Sequence, residues 1–297
     1  IVILCLAVTL AVSCIVGGAK QTAIGLAIST LNNPFFVELR DGALAQGKTL
    51  DFNVIVADGQ NDANKQLSQI ENFIQQKVDL IAVNPVDSDA VAAAVKAANK
   101  AGIPVITVDR GANGGNVVCH IASDNVAGGR LAGEHIAKLL NGSGSVIELE
   151  GIPGTSAARD RGKGFNEAMA KYPKIKVVAR QEAGFDRAKG MSVMENLLQA
   201  NPDVNAVFAH NDEMALGALR AIEAAGKMGK IKVVGFDATD DAVKAVKDGR
   251  MAATVAQKPD EMGKNAIATA KDVLGGKTVD KRSEERRVGK ECRYRWS

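Results

Sequence analysis

The sequence predicts an α/β protein of two doubly wound parallel-sheet lobes. Three observations carry this. Short runs that are apolar throughout, rich in Val, Ile and Ala, alternate with Ala/Lys/Glu-rich stretches of about 3.6-residue period. Strands apolar on both faces and joined by helices belong to a parallel sheet that is covered on both sides. The alternation runs through twice, and 297 residues suffice for two lobes of roughly 100–150 residues each.

In order along the chain, strands are read at Ala23–Ser29, Asn53–Ala57, Leu80–Val83, Val105–Val108 and Val117–Ile121. A second set follows at Ser145–Leu149, Ile175–Arg180, Ala206–Ala209, Ile231–Gly235 and Ala252–Ala256. Helical periodicity is clearest at Ala63–Lys77, Ala90–Ala101 and Glu213–Ala225. The rhythm breaks at CHIASDN, 119–125, where one strand follows another across a loop too short for a crossover helix. The chain is expected to leave the first lobe there, to build the second over 124–257, and to return with the helix Asp260–Leu274. The first lobe is then 20–123 plus 258–281.

The two ends read differently. Residues 1–19, IVILCLAVTLAVSCIVGGA, have the short apolar core of a secretory signal peptide, with Gly17-Gly18-Ala19 as a small-residue cleavage site. The run is too short for a comfortable membrane span. It lacks a Met and a basic flank, so the leader is expected to be truncated and the mature protein periplasmic. Leu10 to Cys14 offers the alternative of a lipid anchor on Cys14, although Ala11 stands where Leu is usual. Residues 282–297, RSEERRVGKECRYRWS, carry a net +3, the whole formal charge of the chain. This stretch resembles the translation of a sequencing adapter and is expected to be a non-native tail, with the native C-terminus missing. The basic pI therefore argues for no nucleic-acid partner. Only Cys119 lies between the two ends, so no disulfide is expected in the body.

In open α/β sheets, ligands sit beyond the C-terminal ends of the strands. These exits carry Asn33-Pro34-Phe35-Phe36, Asn84-Pro85 and Asp109-Arg110 in the first half. The second half adds Arg161, Phe185-Asp186, Asn211-Asp212, Phe236-Asp237 and Gln257. A monosaccharide has hydroxyls that donate and accept, and ring faces of C–H groups. Asp accepts, Arg donates, Asn and Gln do both, and Phe packs on the faces. Each residue also has a plainer reading. Asn84-Pro85 suits a turn, Asn211-Asp212 a helix cap, Asp109-Arg110 a local ion pair, and Phe185 and Phe236 a lobe core. Pro34 suits the first position of a helix capped by Asn33.

STLNNPFF, NPVDSDAV, IPVITVDR, HIASDN, GTSAARDRGKGF, FDRAKG, FAHNDEMALGALRA and VVGFDATDD resemble the type I periplasmic sugar-binding proteins of bacterial ABC transporters, the D-ribose binders in particular. The resemblance covers about residues 20–281. It implies the type I periplasmic binding protein fold, and a monomer that captures D-ribose between its lobes and delivers it to a membrane permease. The closed form is also a possible ligand of a chemotaxis transducer. Sugar contacts are implied at Asn33, Phe35, Phe36, Asn84, Asp109, Arg110, Arg161, Phe185, Asn211, Asp237 and Gln257. It further implies three crossings between lobes, the third, with a last strand, lost to the tail. No cofactor or metal is implied.

Three other functions stay in view. The binder of another pentose or hexose differs only in loop detail. A sugar-sensing transcription repressor would need a helix-turn-helix where the apolar leader stands. Catalysis has little support: Asp109 and Asp237 could form an acid/base pair, but the three His are dispersed and no Walker A, G-x-S-x-G or G-x-G-x-x-G motif follows a strand. Asp58–Gln66 has the composition of a calcium loop without its ligand spacing.

Overall fold

All ten predicted strands form, with ends within about two residues of those expected. The computed structural model describes residues 21–284. One sheet takes β1 (Ala23–Ile28), β2 (Asn53–Asp58), β3 (Leu80–Val83), β4 (Val105–Val108), β5 (Val117–Ala122) and a late strand, β11 (Arg282–Glu284), in the order β11-β5-β4-β3-β1-β2. The other takes β6 (Gly144–Glu150), β7 (Ile175–Glu182), β8 (Ala206–Ala209), β9 (Lys232–Asp237) and β10 (Ala253–Ala256), in the order β10-β9-β8-β6-β7. Every pairing is parallel. The central strands β3, β4 and β8 are buried at every residue, which is why they read as unbroken apolar runs.

Helices cover both sheets: α1 (Pro34–Thr49), α2 (Ala63–Gln75) and α3 (Val91–Lys100) on the first, α4 (Asn125–Leu139), α5 (Ser156–Met169), α6 (Arg187–Ala200), α7 (Asp212–Ala224) and α8 (Asp240–Lys247) on the second. The last, α9 (Pro259–Leu274), returns to the first sheet, where Met262, Ala266 and Ile267 pack with Ile24, Leu26 and Leu39. Starts are set by side-chain caps. Asn33, Asp62, Asp124, Thr155, Asp186 and Asn211 each place an oxygen on an amide of the first turn.

Two local features position the functional loops. Residues 109–116 join the parallel neighbours β4 and β5 without a helix, a span shorter than the usual crossover, and they carry Asp109 and Arg110 at the sheet's C-terminal edge. Helices α4 and α5 touch backbone to backbone. A Cβ on Gly129 would overlap the Arg161 carbonyl, and one on Gly164 the Val126 carbonyl. Glycine at both places lets α5 sink onto α4 and brings Arg161 down to Asn125.

One expectation is corrected. The stretch from 282 onward is read as a non-native tail, with a native last strand lost to it. Arg282–Glu284 instead pairs with β5, Arg282 opposite His120 and Glu284 opposite Ala122. The pairing depends on backbone groups, and a sheet edge offers its free N–H and C=O groups to any extended segment. The His120 N–H already donates to the Lys281 carbonyl at 2.9 Å. The leader reading, Cys14 and the rest of the proposed tail lie outside the described residues. Among those described, no helix is long and apolar enough to cross a membrane.

Candidate functional site

Loops leaving the C-terminal strand ends of the two sheets converge on one narrow cavity of about 10 Å³. Asn33, Phe35, Phe36, Asp109 and Arg110 line it from the first lobe, and Ala157, Arg161, Phe185, Asn211 and Asp237 from the second. Nine of the eleven predicted residues thus meet in one space. Asn84 and Gln257 stand behind it. Asn84 accepts the Ser29 N–H at 3.1 Å and donates to the Val108 carbonyl at 3.1 Å and to Asp109 Oδ2 at 3.3 Å. Gln257 donates through Nε2 to Asp237 Oδ1 at 2.8 Å.

The start of α1 serves two ends. Asn33 Oδ1 accepts the Phe35 N–H at 3.0 Å and caps the helix, with Pro34 in its first turn. Phe35 and Phe36 leave the helix about 100° apart, yet both border the cavity, edge to face with centroids 5.2 Å apart. Both are also core residues, 3% exposed and packed in the cluster that holds Leu39 and Met262. Truncating either is therefore a change to the core as well as to the site.

The two arginines lie between aromatic faces. The Arg110 guanidinium carbon is 5.0 Å from the Phe36 centroid and 5.3 Å from that of Phe185, so it bridges the lobes by cation–π contact. Arg161 lies 3.9 Å over Phe236 and 5.8 Å from Phe185. Phe236 is indeed core, 1% exposed, but one ring face carries an arginine. Arg161 donates to Asn125 Oδ1 at 2.8 Å and to the His210 carbonyl at 2.6 Å, and its Nη1 is 3.6 Å from Asp237 Oδ1. These partners offset the helix dipole that disfavours a cation early in α5.

Two carboxylates and two guanidiniums balance to zero inside the cleft. Burial pushes Asp109 above the usual carboxylate range, against the pull of Arg110, Arg161 and the Asn84 amide. Burial likewise raises Asp237, with Arg161 opposing, and lowers Arg110 to about 10. Some polar atoms have no hydrogen-bond partner within the protein. Asp109 Oδ1, Arg110 Nε and Gln257 Oε1 are all buried without a hydrogen bond, although Arg110 Nε lies 3.8 Å from Asp109 Oδ2 in a local ion pair. Bare buried polar atoms are costly and rare. Two of these, on Asp109 and Arg110, belong to side chains that line the cavity, while others such as Ser29 Oγ and Ser123 Oγ lie elsewhere. A charge-balanced, hydroxyl-matching, partly aromatic space suits a small neutral polyol better than an anion.

Three of the eleven residues also have a backbone that side chains rarely adopt: Asp109 (φ 63°), Phe185 (φ 59°) and Asp237 (φ 123°). Such strain gathers at ligand sites. Sequence reasoning did not reach it, nor did it single out Ala157, Asn125 or the His210 carbonyl. Asn125 was legible only as the last residue of HIASDN.

The lobes touch beyond the cavity: the Gly111 N–H donates to Ser156 Oγ at 2.9 Å. Two parallel-sheet lobes closed over a buried, charge-balanced cavity define a two-lobed solute-binding protein. The chain belongs to the periplasmic binding protein domain family, whose model it matches over residues 24–278. It is 56% identical over 261 residues to a ribose import binding protein of Salmonella typhimurium, covering 88% of this chain and 87% of the relative. It is 52% identical over 265 residues to the ribose import binding protein of Bacillus subtilis, covering 89% and 86%. Among solved structures, an ABC transporter solute-binding protein of Bacillus halodurans with bound myo-inositol matches at TM-score 0.85 and 36% identity, over 90% of this chain and 93% of that one. One from Actinobacillus succinogenes with bound D-allose matches at TM-score 0.84 and 35% identity, over 89% and 95%.

Proposed function

We propose that the chain captures D-ribose between its lobes, outside the cytoplasmic membrane, and delivers it to the permease of an ABC transporter. The observation that carries the reading is the pairing of buried, unsatisfied Asp109 Oδ1 and Arg110 Nε in a charge-balanced cavity. Relatives at 52–56% identity are ribose import binding proteins, whereas those at 36% include D-apiose and D-allose binders. That step in identity supports ribose over other sugars. The family supports a periplasmic location.

In this mechanism Asp109 and Asp237 accept from sugar hydroxyls, while Arg110 and Arg161 donate. Asn33 commits its oxygen to the helix cap and keeps its NH₂ for a hydroxyl. Asn211 likewise caps α7, its Oδ1 accepting the Met214 N–H at 3.0 Å, but its NH₂ also donates to the Phe185 carbonyl at 3.4 Å, which leaves one N–H for a hydroxyl. Phe35, Phe36 and Phe185 pack on the ring, and Asn84 and Gln257 orient the two carboxylates behind them. Hydrogen bonds to charged groups contribute about 1.5–3 kcal/mol each. A ligand that touches both lobes shifts the population towards closure, and the closed form is what docks on the permease.

A thermal-shift panel tests this, because a ligand that binds the folded state raises Tm by mass action. D-ribose should give a larger shift than D-allose, D-apiose or myo-inositol at equal concentration. A larger shift with another sugar replaces the substrate and leaves the class intact. No shift with any sugar removes both.

A further inference from the structure

Asp212 lines no part of the cavity, yet two hydrogen bonds tie it to the turn that presents Asp237, and a third ties it to β10, which meets the same turn. It opens α7, one residue after the cavity-lining cap Asn211, and it is wholly buried. Thr239 donates to Asp212 Oδ2 through its N–H at 2.8 Å and through Oγ1 at 3.2 Å. Thr254, on β10, donates through Oγ1 to Asp212 Oδ1 at 2.7 Å and accepts the Ala238 N–H at 3.1 Å. The two amides that follow Asp237 therefore both end on Asp212, one directly and one through a hydroxyl.

That turn needs holding. Asp237 has φ 123° and Ala238 φ 60°, two consecutive residues in the half of the map that Cβ-bearing residues avoid. Such conformations persist only where the surroundings over-determine them. The fit is close on the strand side too: a Cβ on Gly235 would overlap Asp212 Oδ1, so β9 passes the carboxylate at backbone distance. Beyond the turn, Asp237 meets Gln257 at 2.8 Å and Arg161 at 3.6 Å.

We propose that Asp212 and Thr254 are positioning residues, which hold the left-handed turn at 237–238 so that the Asp237 carboxylate faces the cleft. The proposal rests on the preceding reading of Asp237 as a ligand contact. Because Asp212 follows Asn211 in one helical turn, the clamp also locks Asn211 and Asp237 into a single unit, although they leave different strands. An acid favoured at a helix start for its dipole alone would make no such demand on Thr254.

The test is a double-mutant cycle read by D-ribose titration, with amide hydrogen exchange on the ligand-free protein. Asp212→Asn and Thr254→Val should each weaken binding by about tenfold, and Thr254→Ser should restore it to within about twofold. In an Asp237→Asn background the same changes should add almost nothing. Exchange at Ala238 and Thr239 should quicken while the interior of α7 stays protected. Undiminished affinity, an equal loss with and without Asp237, or unchanged exchange at 238–239 overturns the proposal. If Asp212→Asn does not fold, the Thr254 variants carry the same comparison. If the unmodified protein takes no ribose, the preceding reading fails, and exchange at 238–239 still decides this one.

Discussion

The backbone N–H of Ser88 donates to the carbonyl of Gly154 at 2.9 Å, and this bond runs from one lobe to the other. Neither residue lines the cavity, so part of the closed state is held by the protein itself. A Cβ at position 154 would overlap Asp87 Oδ2, so a side chain there would push the Asp87 carboxylate out of place beside this contact. Gly154→Ala is therefore expected to disfavour closure without touching the ligand. D-ribose affinity should fall by about tenfold, because the competent state is less populated. The melting temperature of the open, ligand-free protein should not change. Titration calorimetry with solution scattering checks this, and unchanged affinity with unchanged compaction contradicts it.

Asp109 offers the cavity an unpaired buried acceptor. Asp109→Ala should weaken D-ribose binding roughly 10- to 100-fold, the range of one or two charged hydrogen bonds. Asp109→Asn keeps one acceptor and should lose less. Equal titration curves for Asp109→Ala and the parent protein would remove Asp109 from the site.

Phe36 is both wall and core. Phe36→Ala should cost about 3–5 kcal/mol of folding stability together with ribose affinity. Phe36→Leu keeps most of the volume and should cost less than about 1.5 kcal/mol of stability. It should still lose affinity, because the ring face and its contact with Arg110 are gone. Denaturant unfolding beside titration separates the two effects, and full affinity in Phe36→Leu argues against ring stacking.

Burial pushes the Asp212 carboxyl up to about 7, against its hydrogen bonds from Thr254 and Thr239. An acid raised in the folded state stabilises through its protonated form. That contribution is whole below the unfolded carboxylate range near about 4 and is lost as pH rises through about 7. Asp109 and Asp237, also raised by burial, act in the same sense. His120, lowered to about 4 by burial, opposes them as pH falls below about 6.5. The stability difference between the parent protein and Asp212→Asn isolates Asp212. It should shrink between about pH 4.5 and about pH 7.5, by up to a few kcal/mol at about 1.4 kcal/mol per pKa unit. A flat difference in urea unfolding contradicts the assignment.

Much of this was legible in the sequence because strand burial and loop chemistry leave local marks. Val105–Val108 is apolar because it is covered on both faces, and Asn33-Pro34 announces a helix start whatever the ligand. Long-range consequences were not legible. Nothing local shows that Asn84 hydrogen-bonds to the Val108 carbonyl and to Asp109 Oδ2, since these partners lie 24 and 25 residues away. The positive φ of Asp109, Phe185 and Asp237 leaves no trace either, because their residue types are ordinary and the surroundings impose the strain. β11 was missed because it is recruited by the free edge of β5 and has no strand signature of its own.

Titration calorimetry of D-ribose into the purified protein tests the central claim most directly. The account predicts saturable binding of one sugar per chain at micromolar Kd or tighter, about −8 kcal/mol or better. Binding should weaken roughly 10- to 100-fold in Asp109→Ala. No saturable heat with D-ribose, while another monosaccharide binds tightly at the same cleft, would contradict it.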